Sequence, residues 1–247
     1  MFNRVIIAIV GSSNSGKTTA SETIIKGLTK KGYKVASAKR ISEPEFTIDT
    51  EGKDTWRHAK AGASTVLSVA PNEFTTIKKV NTTKYTLEQL ISEIPDETDI
   101  IIIEGFKSLV GKDMTIPKIV AIKTEDEISA ALERYKNIIA FIGYNPDQKI
   151  KTEIPFIDTI NEPEKLVELL NNKVSLQVER KRKREEKITI QVDQRMLPLG
   201  DFVQGIVRNA VLAMVESLKG VDAKLTQDMQ AIVKIDITTD KQSKTDN

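Results

Sequence analysis

Cysteine is absent from this 247-residue chain. That rules out disulfides, thiolate metal sites and cysteine nucleophiles, and it suits a cytoplasmic setting. Histidine occurs once, at position 58, so a metal cluster built from histidines is not expected. No stretch is long enough to cross a bilayer, and no membrane partner is expected. The apolar run Val5 to Val10 is about one strand long and leads straight into a polar loop. It reads as neither a signal peptide nor a span. Charge of one sign is also lacking: the formal net charge is +2, which gives no argument for nucleic acid. No internal repeat is visible.

What is present is concentrated in Gly11-Ser12-Ser13-Asn14-Ser15-Gly16-Lys17-Thr18, a G-x-x-x-x-G-K-T phosphate-binding loop. An unbroken apolar run precedes it, as for a strand buried on both faces of a parallel sheet. A helical pattern follows, with Ala20, Ile24, Ile25 and Leu28 on one face. The residue types have physical reasons. Gly11 and Gly16 let the backbone take positive φ and curl, so that amide hydrogens point inward at an anion. The positive end of the next helix adds to that field. Lys17 can reach the β- and γ-phosphates, and the Thr18 hydroxyl can ligate Mg²⁺. Thr19 belongs to the same nucleotide-binding stretch.

A second signal is Asp99-Ile100-Ile101-Ile102-Ile103-Glu104-Gly105. Four consecutive isoleucines require a central buried strand, and the strand ends in an acid. Beside a phosphate loop, Glu104 reads as a carboxylate linked to Mg²⁺ or its water. Alone it would equally be a solubilising acid at a strand end. Asp49 is a second candidate carboxylate, either on a metal-bound water or as a base. It lies in a segment from Lys39 to Thr55 that is rich in turn formers and charges and follows a short strand, Val35 to Ala38. That placement marks a functional loop. His58 and Trp56 read as packing or surface residues.

Further strands are expected at 65–69, 119–122 and 138–142, with a capping box at Thr86 to Gln89 opening a helix. Alternating units of this kind imply an α/β, doubly wound, mostly parallel sheet of the phosphate-loop class. Gly143-Tyr144-Asn145-Pro146 is placed to approach a base, but no Asn-Lys-x-Asp guanine signature occurs. The expected division is a nucleotide-binding domain over 1–175, a basic linker over 176–187, a small β-α-β extension over 188–238 and a disordered tail over 239–247. Acids interrupt the basic run at 179–187 and no aromatics interleave it, which favours a solvated linker or helix end over a nucleic-acid patch. The extension, with strands at 188–192 and 233–237 around an apolar helix, is too small to stand alone.

Asp49-Thr50-Glu51-Gly52-Lys53-Asp54-Thr55, with Arg57, Ala61-Gly62-Ala63 and Ile103-Glu104-Gly105-Phe106-Lys107, resembles the family of molybdopterin-guanine dinucleotide biosynthesis protein B. The resemblance covers roughly residues 1 to 170. It implies a GTP-binding accessory protein with weak hydrolysis, a homodimer, and a partner enzyme that joins GMP to molybdopterin. It further implies Gly11 to Thr18 for phosphate and Mg²⁺, Asp49 and Glu104 for metal or water, and Lys53, Asp54 and Arg57 near the phosphates or the acceptor. Where the family often shows a Lys-His pair and another His, this chain has Lys39-Arg40 and Glu43. Lys17, Asp49 and Glu104 are the candidate catalytic residues. The alternative is a small-molecule kinase using ATP or GTP, with Asp49 positioning the acceptor.

Overall fold

The computed structural model describes residues 4–144, 152–185, 190–192, 195–197 and 200–217. In chain order the elements are β1 (Val5–Gly11), α1 (Lys17–Lys30), β2 (Val35–Lys39), α2 (Asp54–Lys60), β3 (Thr65–Ala70), β4 (Glu73–Lys78) and α3 (Leu87–Ile91). There follow β5 (Ile100–Glu104), α4 (Lys107–Val110), β6 (Lys118–Ala121), α5 (Glu127–Arg134), β7 (Ile138–Gly143), β8 (Phe156–Asp158) and α6 (Pro163–Glu185). The last are β9 (Ile190–Val192), β10 (Arg195–Leu197) and α7 (Asp201–Glu216). The chain divides into two compact units, Met1–Arg182 and Lys183–Asn247.

In the first unit six strands form one sheet in the order β2-β5-β1-β6-β7-β8, and every neighbouring pair is parallel. Strand side chains alternate between faces, so each apolar run feeds two cores. Ile7, Ile9, Ile100, Ile102 and Ile119 pack against Ala20, Ile24 and Leu28 of α1 and Leu166, Leu170 and Val174 of α6. Ile6, Val10, Ile101, Ile103, Val120 and Phe141 pack against Leu87 and Ile91 of α3 and Ala131 of α5. Burying each such side chain is worth about 1.5–3 kcal/mol before the entropy of ordering it. α1 and α6 approach closely: a methyl group on Gly27 would lie 2.4 Å from Val167 Cγ2.

This α/β, mostly parallel, doubly wound sheet is the expected fold. Two parts of it differ from expectation. The strand expected at 65–69 lies outside the sheet. As β3 it pairs antiparallel with β4, and only Val66 of β3 is buried. Thr65 and Ser68 break its apolar run, and a strand covered on both faces cannot carry such breaks. The stretch expected as a linker or helix end is helical over 176–185: α6 continues to Glu185. Its charges find partners distant in sequence. Lys181 Nζ donates to the carbonyls of Asp96 and Thr98, both at 2.8 Å, and Arg182 Nη2 meets Asp99 Oδ2 at 2.6 Å.

Burial pushes the Asp99 carboxyl up. The Arg182 hydrogen bond, the Lys34 amide and the charges of Arg182 and Lys181 outweigh that, so its pKa lies below the usual carboxylate value. A depressed folded pKa contributes stability that is complete above the unfolded pKa, about 3.9, and is lost as pH falls through the folded one. Arg182→Ala is therefore expected to cost about 1–2 kcal/mol in urea unfolding at pH 7. The difference from the parent chain should shrink below about pH 4. A difference that does not change with pH would remove this pair from the account.

In the second unit β9 and β10 pair antiparallel and α7 follows. A hairpin thus precedes the helix. The expected strand at 233–237 and the tail from 239 lie outside the described residues, as do Asn145 and Pro146. Among the described residues no helix is long and apolar enough to cross a membrane.

Candidate functional site

The sheet order puts β1 between β5 and β6. Here the direction of strand succession reverses, and a crevice opens at the carboxyl end of β1. The phosphate loop leaves β1 at this point. Gly11 has φ +150°, and a methyl group there would lie 2.3 Å from the Ala121 carbonyl oxygen. Gly16 has φ +84° directly before α1 and no side chain to cap it. The first-turn amides of α1 are thereby left for an outside acceptor.

Side chains brace the loop. Ser15 Oγ donates to the Ser12 carbonyl at 2.9 Å, and Lys17 Nζ donates to the same carbonyl. Ser12 Oγ donates to Glu127 Oε1 at 3.4 Å, while Glu127 Oε2 accepts from the Lys123 amide at 2.9 Å. Burial pushes the Lys17 ammonium pKa down, and the charges of Lys107, Lys39 and Lys123 push the same way against Glu104. Lysines from four elements and connections thus act on one volume, which is an anion site.

Glu104 ends β5 and meets Thr18 of the loop. In β5 it shares a face with Ile100 and Ile102, the face that packs on α1. Its Oε1 accepts from Thr18 Oγ1 at 3.2 Å and its Oε2 from Ser21 Oγ at 3.2 Å. Lys39 Nζ stands 3.3 Å from Oε1. Ser21, Lys39, Lys107 and Lys123 were not singled out as site residues. Ser21 had a signal, since it lies on the Thr18 face of α1 at i+3. Lys39 did not: strand pairing sets it opposite Glu104, and that pairing joins residues far apart in sequence.

The other candidates make their contacts elsewhere. The Asp49 carboxylate bonds within its own loop, Oδ1 accepting from the Thr50 amide at 2.8 Å and Thr55 Oγ1 at 3.0 Å. Its Oδ2 is buried and has no hydrogen-bond partner among the described residues. Lys53 precedes α2, and Asp54 and Arg57 pair with each other on its exposed surface at 3.7 Å. No hydrogen bond or ion pair among the described residues joins these four to the phosphate loop. Next to the loop a cleft of about 210 Å³ runs along Asn14, Ser15, Gly16 and Thr19, faced by Ile122, Lys123, Gly143, Tyr144, Thr159 and Ile160. These lie at or just after the carboxyl ends of β6, β7 and β8, beside the phosphate loop.

The donor set fits a magnesium ion. A hydroxyl and a carboxylate, Thr18 and Glu104, are hard oxygen ligands, and Mg²⁺ takes one or two such ligands together with substrate phosphates and water. A full protein cage is not needed. Among the described residues no group of three or more His, Cys, Asp or Glu side chains is placed to make one.

A family model described as molybdopterin guanine dinucleotide synthesis protein B matches residues 6–144. A Methanocaldococcus jannaschii protein named as a molybdopterin-guanine dinucleotide biosynthesis adapter is 31% identical over 253 residues, covering 96% of this chain and 98% of that one. The molybdopterin-guanine dinucleotide biosynthesis adapter protein of Haemophilus influenzae is 34% identical over 121 residues, covering 49% of this chain and 64% of that one. A crystal structure of molybdopterin-guanine biosynthesis protein B superposes with a TM-score of 0.54 at 25% identity, covering 69% of this chain and 99% of the other. The loop and the strand-end acid fall within residues 6–144, and the chain belongs to the family of molybdopterin guanine dinucleotide synthesis protein B.

Proposed function

We propose that this protein is a nucleotide-binding adapter in molybdopterin-guanine dinucleotide biosynthesis that holds GTP with Mg²⁺. It acts on a guanylyltransferase-type partner that joins GMP to molybdopterin, as a homodimer in the cytoplasm. The observation that carries the reading is the meeting of Thr18 and Glu104 at 3.2 Å beside the phosphate loop. Gly11 to Thr19 cradle the phosphates, Lys17 neutralises them, and Thr18 and Glu104 would hold the metal. Bound there, Mg²⁺ would supply charge neutralisation for the polyphosphate. The cleft facing Gly143 and Tyr144 would take the base. Hydrolysis is weak on this reading, as the family resemblance implies.

The kinase alternative draws on one observation, the unpartnered buried Oδ2 of Asp49, which could orient an acceptor hydroxyl. A kinase should turn over nucleotide faster with a small acceptor present, and an adapter should respond to its protein partner. Calorimetric titration of GTP and ATP in Mg²⁺, with and without molybdopterin, tests the reading. GTP should bind at least about tenfold tighter than ATP, a difference of about 1.4 kcal/mol. Equal affinities would reject the guanine assignment.

A further inference from the structure

β2 and β5 pair in a register that sets Lys39 directly opposite Glu104 at the carboxyl end of the sheet. Lys39 Nζ lies 3.3 Å from Glu104 Oε1 and 3.5 Å from Thr18 Oγ1. These are the two oxygens assigned to the divalent cation under the proposed function, on which this inference rests. The Glu104 side chain is 10% exposed and that of Lys39 is 54% exposed. A nearly buried carboxylate needs a positive partner, or its desolvation goes uncompensated. Lys17 acts on Glu104 through its charge, but its ammonium donates to the Ser12 carbonyl, and among the described residues it is Lys39 that makes the ion-pair contact. Lysine suits a temporary role: it is a compact point charge on a flexible stem, with no forked geometry to lock it down.

We infer that Lys39 is a placeholder cation: its ammonium group occupies the divalent-metal position on Thr18 and Glu104 while the metal is absent, and gives it up when metal and nucleotide arrive. Without metal, Lys39 keeps Glu104 from repelling an incoming polyphosphate. With a divalent cation held by Thr18 and Glu104, that neutralisation would come from the metal, and the Lys39 ammonium group would be free to turn toward solvent. Lys39 is thus a positioning residue that sets how strongly nucleotide affinity depends on magnesium. It makes the metal-free protein a better nucleotide acceptor than the Glu104 carboxylate alone would allow, and it makes Mg²⁺ displace an ammonium group before it can bind.

The test uses the full chain and the dissociation constant of GTP, measured by calorimetry in excess EDTA and in excess Mg²⁺. The readout is the ratio of the two constants. Lys39→Met keeps most of the stem and removes the charge. It should raise the ratio about 3- to 5-fold, the upper range for a half-exposed ion pair. Lys39→Arg should restore the ratio to the parent value or below it, because a guanidinium holds a carboxylate more firmly. A Lys39→Met chain that loses affinity equally in both buffers leaves the ratio unchanged, which makes Lys39 a plain phosphate ligand and overturns the inference. A ratio unchanged because neither constant moves overturns it too. The parent chain tests the underlying reading separately. If its own GTP affinity does not respond to Mg²⁺, the metal assignment fails first and the inference falls with it.

Discussion

Lys17→Ala should abolish nucleotide binding, with affinity for GTP falling at least about 100-fold, or about 2.7 kcal/mol. Three losses combine. The charge-assisted contact to the phosphates goes, and such contacts are worth about 1.5–3 kcal/mol. The positive field in the loop weakens. The brace from Lys17 Nζ to the Ser12 carbonyl also goes, and with it some order in the loop. Lys17→Met separates these terms, since it keeps the stem while removing the ammonium. Both variants should unfold within a few degrees of the parent chain, because Lys17 lies at the start of α1 outside the buried core. Retention of GTP affinity within threefold by either variant, in a calorimetric titration, would remove the phosphate-loop assignment.

Glu104→Gln should separate metal dependence from nucleotide binding. Glutamine keeps the shape of the side chain, and its amide oxygen can still accept from Thr18 or Ser21, now 3.2 Å from the carboxylate. The charge alone disappears. Loss of even a hydrogen-bond partner of a metal ligand typically costs 10- to 100-fold in metal affinity or activity, and a fall of at least about that size is expected in the proposed Mg²⁺-dependent GTP hydrolysis. Affinity for GTP itself should fall less, by about threefold or under, because the loop amides and Lys17 remain in place. Single-turnover assays alongside titrations would read the two effects. Equal losses in both would argue against a metal role for Glu104.

The sheet and the phosphate loop were legible because their signals are local. An unbroken run such as Val5 to Val10 or Ile100 to Ile103 has one comfortable place in a soluble protein, between two layers of helix. The capping box at Thr86 closes as its spacing suggested, with the Gln89 amide reaching Thr86 Oγ1 at 3.2 Å and the Gln89 side chain returning at 2.9 Å. What stayed hidden depends on pairings between distant segments. The placement of β3 beside β4 follows from how little of either strand can be buried. The three-residue edge strand β8 is too short to show a period. The α6 terminus looks solvated until the Asp96 to Asp99 carbonyls and carboxylate are brought under it. In the site, Lys17 and Thr18 were proposed from the loop motif and Glu104 from the acid that ends the isoleucine strand, and the structure brings Thr18 and Glu104 together. Lys39 became visible only through strand register. Asp49, chosen from a motif in a loop, turned out to bond only within that loop.

β2 and β5 lie side by side, yet the chain makes a long detour between them, from Arg40 to Asp99. Much of the detour is thinly anchored: α2 buries nothing and β3 only Val66. Loop closure becomes costlier only with the logarithm of length, about 0.6 kcal/mol per doubling. Natural selection can therefore lengthen, trim or rewrite this excursion while the crevice at the carboxyl end of β1 keeps its shape.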